Sequence, residues 1–177
     1  MTNDTRNVVD KYRGWPIEAI RQDLDRTKVS LEIAIENLQR DFNMGTIVRT
    51  ANAFNVSRVH IVGRRQWNKR GAMVTDRYLH LEYHALVGDF QKAMADRVII
   101  GVDNVAGASP LSKTKFSENC VLVFGSEGPG LSTEMQAAAS EIVMIEQFGS
   151  TRSINVGVAA GIVMYAWMEQ NVLGSPH

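Results

Sequence analysis

Three segments of the 177-residue sequence combine polar side chains with glycine, the residue types from which binding and reaction sites are built. The first runs Glu36-Asn37-Leu38-Gln39-Arg40-Asp41-Phe42-Asn43-Met44-Gly45-Thr46-Ile47-Val48-Arg49. On a helix, the interval from Asn43 to Arg49 places them about 120° apart around the axis and nearly two turns along it. Taken alone, Asn43 reads as a cap and Arg49 as a surface cation. The second segment is Phe124-Gly125-Ser126-Glu127-Gly128-Pro129-Gly130-Leu131-Ser132. Its glycines and proline follow an apolar run and make a tight loop whose backbone amides can approach a ligand. Glu127 stands where a dinucleotide fingerprint needs glycine, and no Gly-Lys-Ser/Thr follows, so neither nucleotide-loop pattern is present. A carboxylate there repels phosphate and suits a cationic or hydroxyl-rich ligand, although a plain strand-to-helix turn would have the same composition. The third segment, Ile145-Glu146-Gln147-Phe148-Gly149-Ser150-Thr151-Arg152-Ser153-Ile154-Asn155-Val156, is a long loop entering a hydrophobic helix, with Ser153 as the candidate cap.

Other residues with chemical potential are placed more plainly. Cys120 is the single cysteine and begins the apolar run Val121-Leu122-Val123-Phe124, which makes it a buried hydrophobe and not a nucleophile. His80 and His84 flank Glu82, but no third ligand lies nearby in the sequence, so no metal site is expected. Arg64, Arg65, Lys69 and Arg70 lie close together around Trp67. Such a segment is either a solvated loop or a local nucleic-acid contact, and an exposed Trp67 ring could stack on a splayed base.

The elements that must carry these segments follow from periodicity. Residues 31–35 alternate apolar and polar, the period of a strand, and further strands are expected at 58–62, 81–87, 97–102, 120–124 and 141–145. Helices are expected at 17–26 after Pro16, at 45–54, at 89–95, at 132–139 behind a Ser132 cap, and at 153–172. Strands alternating with helices predict an α/β fold, a mostly parallel sheet covered on both faces. Polar loops just beyond strand ends are where such sheets bind ligands. The last helix has apolar residues around more than one face, which predicts burial against a second subunit as well as the sheet. A homodimer is therefore expected.

Composition sets the outer bounds. A hydrophobic content of 45% supports one core, read as an arm and short helix at 1–26 followed by a single domain at 27–177. No apolar run approaches the ~20 residues of a membrane helix, and residues 1–12 lack the apolar centre of a secretory signal, so a cytoplasmic protein is expected. With 19 basic and 19 acidic side chains, a uniformly basic nucleic-acid binder is excluded, while a local patch is not.

In order and spacing, the three segments resemble the motifs of the SpoU/TrmH branch of the SPOUT methyltransferases. Asn43 through Arg49 resembles motif one, Gly125-Ser126-Glu127-Gly128 with Leu131-Ser132 motif two, and Ser153-Ile154-Asn155-Val156 motif three. The resemblance covers roughly residues 30–170. It implies a deep C-terminal trefoil knot, a topology otherwise nearly absent from proteins. Gly125, Gly128, Gly130, Gly149, Gly157 and Gly161 are the small residues that would ring it. It further implies S-adenosylmethionine bound by Val102, Asp103, Gly125, Ile145, Ser153 and Ile154, largely through backbone groups. The implied reaction is methylation of a ribose 2′-hydroxyl in structured RNA, with tRNA favoured over rRNA.

By the same resemblance Arg49 is catalytic, Asn43 and Glu127 orient it or the ribose, and Ser153 and Asn155 shape the methyl-donor pocket. A guanidinium of pKa above ~12 is a poor base, so a protonated Arg49 that holds phosphate and stabilises the developing alkoxide is the expected role. Arg64, Arg65, Trp67, Lys69 and Arg70 are the expected RNA contacts. One departure stands out: many relatives open motif three with Ile-Pro-Met, where this chain has Ile145-Glu146-Gln147, and Glu146 would add charge near the cofactor. The alternatives are a silent RNA-binding knot protein and a nucleotide-binding oxidoreductase, the second opposed by the missing fingerprint.

Overall fold

The computed structural model describes residues 6–37, 43–126 and 128–174. Its elements in chain order are α1 (Ile17–Leu24), β1 (Val29–Asn37), α2 (Asn43–Ala53), β2 (Val56–Gly63), β3 (Leu81–His84) and α3 (Val87–Ala93). They continue with β4 (Val98–Val102), β5 (Ser109–Pro110), β6 (Cys120–Phe124), α4 (Thr133–Ala138), β7 (Glu141–Met144) and α5 (Val156–Met168). Among the described residues the strands form one seven-stranded sheet in the order β3-β2-β1-β6-β4-β7-β5, and every pairing is parallel. The expected α/β sheet is present. From β1 the chain winds outward to β3, then returns across β1 to build the other half, and that reversal is where open α/β sheets place ligands.

Both faces of the sheet are covered. Leu31, Ile33 and Ile35 of β1 face α2 and α5, packing with Ile47, Val48, Val163 and Trp167. Ala34 faces the other way, with Val62, Phe90, Val121, Val123 and Met135 under α3 and α4. Alternation in β1 therefore does not separate core from solvent, because Glu32 and Glu36 on the second face are buried too. A parallel sheet has no wet face to offer them. Each is instead partnered: Glu32 by Arg97 and His60, Glu36 by Ser132.

Several boundaries differ from the sequence expectation. Strand β3 stops at His84, and α3 begins two residues before Asp89. The two-residue edge strand β5 has no sequence signal of its own, and Pro110 within it fits an edge position, where no ladder hydrogen bond is needed from its nitrogen. Helix α5 starts at Val156 and not at 153, with Asn155 as its cap: the Asn155 Oδ1 accepts from the Gly157 and Val158 amides. Past Met168 the helix loosens into a π-turn over Glu169–Leu173. Ser132 caps α4 as expected, accepting from the Met135 amide. Cys120 is fully buried, and burial pushes its thiol up to about 12.

The N-terminal helix is tied to the sheet edge. Ile20 is buried, while Arg21 and Asp25 of this region both bond the imidazole of His80 just before β3. Among the described residues no helix is long and apolar enough to cross a membrane.

Candidate active site

A cavity of about 280 Å³ opens at the C-terminal ends of β4, β6 and β7. Val102 and Asp103 reach it from β4, Gly125 from β6, Ile145 from β7, and Ser153, Ile154 and Asn155 from the run into α5. Thus all six residues expected to hold the cofactor line one cavity, beside Met144, Gln147 and Ala159. Its size lies at the small end of ligand pockets, roughly 300–1,000 Å³.

The walls are held by carboxylates. After β6 the chain turns back on itself, with Ser126 and Gly130 exchanging backbone hydrogen bonds in both directions. The turn is so tight that a Cβ on Gly125 would lie 2.2 Å from the Gly130 carbonyl carbon. Only glycine fits. The Asp103 carboxylate accepts from the Leu131 amide at 2.8 Å and from the Asn104 amide at 2.7 Å, so it fastens the far side of the turn. Glu36, at the end of β1 and 1% exposed, accepts from the Ser132 amide at 2.8 Å and from the Ser132 hydroxyl at 2.5 Å. The Ser126 hydroxyl closes the bracket by donating to the Glu36 carbonyl. The sequence assigns Glu36 no role. Its only signal was a carboxylate next to Asn37 where a buried strand ends.

Motifs one and three meet directly. The Asn155 side-chain amide donates to Asn43 Oδ1 at 3.0 Å, across 112 positions of sequence. Helices α2 and α5 pack closely here, since a Cβ on Gly157 would come within 3.1 Å of the Thr46 methyl. Arg49 stands on α2, exposed, and its side chain forms no hydrogen bond or ion pair among the described residues. Its charge is free for a ligand. Glu127 and residues 38–42 lie outside the described residues, so the expected pairing of Glu127 with Arg49 has no geometry to report. Of the small residues expected around a crossing, Gly125, Gly130 and Gly157 are crowded, whereas Gly128 and Gly149 face open space.

The motif-three departure resolves into two different side chains. Glu146 is turned away to the Ser112 hydroxyl, and that hydrogen bond holds its carboxyl below the usual range. It does not line the cavity, contrary to the expectation of added charge there. Gln147 does line it, and its Oε1 is buried with no hydrogen-bond partner among the described residues. A buried orphan acceptor costs free energy until a donor reaches it. The lining therefore combines Gln147 with apolar Val102, Met144, Ile145 and Ile154, a set that fits the adenine, amino and sulfonium groups of S-adenosylmethionine.

The basic segment lies beside α2. The turn containing Arg70 and Ala72 abuts it so closely that a Cβ on Gly45 would fall 2.7 Å from the Ala72 nitrogen. Asn37 shapes the start of the segment by donating to the Arg64 and Gln66 carbonyls. Arg64, Arg65, Lys69 and Arg70 are exposed. Lys69 is bonded to Asp76 at 2.8 Å, and the Arg65 guanidinium lies over the Tyr83 ring at 4.7 Å. Trp67 departs from the expected free ring: it is half-buried against the main core.

A sequence model of the SpoU rRNA Methylase family matches residues 30–165. The chain belongs to that family. The tRNA (guanosine(18)-2′-O)-methyltransferase of Escherichia coli (strain K12) is 24% identical over 152 residues, covering 83% of this chain and 66% of that enzyme. The chain thus spans just under two thirds of that relative's length. Among solved structures, a protein described for 2-OH methylation of C/U34 on tRNA superposes with a TM-score of 0.72 at 25% identity, covering 82% of this chain and 97% of that one. The SpoU methyltransferase AviRb from Streptomyces viridochromogenes, solved in complex with AdoMet, shares the fold at a TM-score of 0.70 and 21% identity, covering 81% of this chain and 61% of that one.

Proposed function

We propose that this SpoU-family chain methylates a ribose 2′-hydroxyl of structured RNA, with S-adenosylmethionine as donor and tRNA as the favoured substrate. The carrying observation is the convergence of motifs one and three: Asn43 on the helix of Arg49 is bonded to Asn155 in the cavity wall. Bound in that cavity, the cofactor would supply an electrophilic methyl group on a sulfonium. The family match and the tRNA enzymes named above support the choice of reaction and substrate.

The chain's own part is alignment and electrostatics. Gly125, Ile145 and Ile154 present backbone groups and apolar surface to the donor, and Gln147 Oε1 accepts from one of its N–H or O–H groups. Asn43 and Asn155 lock α2 against the cavity. Arg49 then projects its cation toward the RNA, where it grips a phosphate and stabilises the oxyanion developing as the hydroxyl passes its proton to solvent water. An aligned pair of reactants and a preorganised cation are the two largest levers for such a displacement.

Ser153 adds a hydroxyl at the cavity rim, and Glu127 is assigned to orienting Arg49. The RNA path runs over α2 to Arg64, Arg65 and Arg70, with Lys69 held by Asp76 at its edge and Trp67 supporting the loop from below. The tight return at Gly125 and the docking of α5 on α2 support a trefoil knot at the C-terminal end. On the outside of α5, Val158, Ile162 and Tyr165 form an exposed apolar stripe, the surface for a homodimer. With RNA as substrate, the cytoplasm is the assigned compartment.

Arg49→Ala and Arg49→Lys test the site. Both should abolish methyl transfer to RNA while calorimetry finds S-adenosylmethionine binding within about threefold of the parent. Near-full turnover by Arg49→Ala would refute the assignment. Mapping of 2′-O-methyl nucleotides by mass spectrometry, in RNA from cells with and without the gene, separates tRNA from rRNA and from a silent RNA binder.

A further inference from the structure

The second face of the sheet holds a polar row remote from the cavity. Glu32 on β1, His60 on β2 and His84 on β3 stand on neighbouring strands, each diagonal to the next in the register. His60 is fully buried and His84 nearly so, with the Phe90 ring of α3 edge-on to both imidazoles. His60 Nε2 meets Glu32 Oε2 at 2.8 Å, and Arg97 holds the other Glu32 oxygen at 3.0 Å. An ionised carboxylate only accepts, so His60 carries its proton on Nε2 and turns the Nδ1 lone pair toward β3. There it meets His84 Nε2 at 2.9 Å. The Glu82 carboxylate lies directly opposite His60 in the register, and one ligand atom from each of His60, Glu82 and His84 falls within 4.8 Å of the others. The sequence showed two of these three groups. The third comes from the adjacent strand.

We propose that His60 Nδ1, His84 Nε2 and a Glu82 oxygen form a zinc-binding site, with water as the fourth ligand. Two imidazoles and a carboxylate are a donor set that Zn²⁺ takes readily, with bonds of about 2.0–2.2 Å. Tetrahedral bonds of that length need the two nitrogens about 3.3 Å apart, a small widening from the 2.9 Å hydrogen bond. The proton between them is not lost: it moves from His84 Nε2 to Nδ1, and both facing lone pairs meet the metal. The Glu32 carboxylate behind His60, itself held by Arg97, is the outer partner that metal-ligating histidines generally have, and it fixes both tautomer and ring orientation. Glu82 is the most exposed of the three, at 40% of its side chain, and gives the ion its way in. Arg58, bonded to Glu82 at 2.7 Å, needs only one carboxylate oxygen and leaves the other for the ion. The ion would clamp the short edge strand β3 to β2. The site is independent of methyl transfer and stands or falls apart from it.

The test uses the tag-free full chain, dialysed against a chelator and titrated with ZnCl₂ by calorimetry, with CoCl₂ as an optical probe. One Zn²⁺ per chain is expected, with visible Co²⁺ bands of a four-coordinate N/O site. Zinc should also raise the thermal midpoint. Glu82→Gln should weaken Zn²⁺ binding at least about tenfold and His84→Ala should abolish it, while His80→Ala, whose ring is taken up by Asp25 and Arg21, should bind as the parent does. Circular dichroism checks that each variant folds, and Glu82→Gln alone decides if His84→Ala does not. Absence of stoichiometric binding in the parent overturns the proposal, as does equal affinity in Glu82→Gln and His80→Ala.

Discussion

Replacing Glu36 tests whether the cavity wall depends on a residue that touches no ligand. The Glu36 carboxylate holds the Ser132 amide and hydroxyl at 2.8 and 2.5 Å, and that hydroxyl in turn caps α4 through the Met135 amide. Glu36→Ala leaves a part-buried amide unsatisfied, about 1–3 kcal/mol, and frees the cap hydroxyl to turn away, about 1 kcal/mol more. Together these centre on roughly 3 kcal/mol, and relief of a buried charge offsets part of it, so roughly 3 kcal/mol is the upper figure. Glu36→Gln is milder. Its amide oxygen can keep the Ser132 N–H while its NH₂ meets the second lone pair of the hydroxyl, so charged bonds become neutral ones at about half the strength, roughly 1–2 kcal/mol. If the wall must be re-ordered before the donor binds, 3 kcal/mol caps the loss of affinity at about 150-fold. Urea unfolding and calorimetric titration with S-adenosylmethionine measure the two quantities separately. The expected order in both is parent, then Gln, then Ala. Glu36→Ala with unchanged urea midpoint and a dissociation constant within twofold of the parent would refute the reasoning.

Asn155→Ala removes both the α5 cap and the bond to Asn43; about 1–2 kcal/mol of stability should go, and methyl transfer should fall more than donor affinity, since α2 loses its anchor. In RNA binding, neutralising Arg64 and Arg70 together should lower the salt slope by up to about 1–2, near 0.7–0.9 per phosphate contact, whereas Lys69→Ala should change it little because Asp76 already neutralises that charge. Equal slopes for all three proteins would remove this segment from the RNA interface. Cys120, held protonated by burial up to about 12, should resist iodoacetamide at pH 8 in the folded chain and react once urea is added. Because the folded thiol keeps its proton where an unfolded one loses it, the associated stability is intact below about pH 8.5 and declines as pH climbs toward 12. Rapid alkylation of native protein would contradict that burial.

The α/β alternation, the Ser132 cap and the burial of Cys120 are legible in the sequence, because each depends on neighbours in the chain. The sequence named the cavity residues only through the resemblance of its three segments to the SpoU/TrmH motifs, because a polar, glycine-rich turn after an apolar strand reads equally as a plain loop. Strand order was beyond it. Only the tertiary structure set β1 between β2 and β6, and with it the meeting of Asn43 with Asn155, the use of Glu36 and Asp103 as fasteners, and the third group beside His84 and Glu82. These contacts join residues from 22 to 112 positions apart, and no local pattern encodes them. The same reason explains Glu32 and His60, polar side chains inside strands β1 and β2. In a sheet buried on both sides a polar residue must find a partner, and which partner is decided by the neighbouring strand.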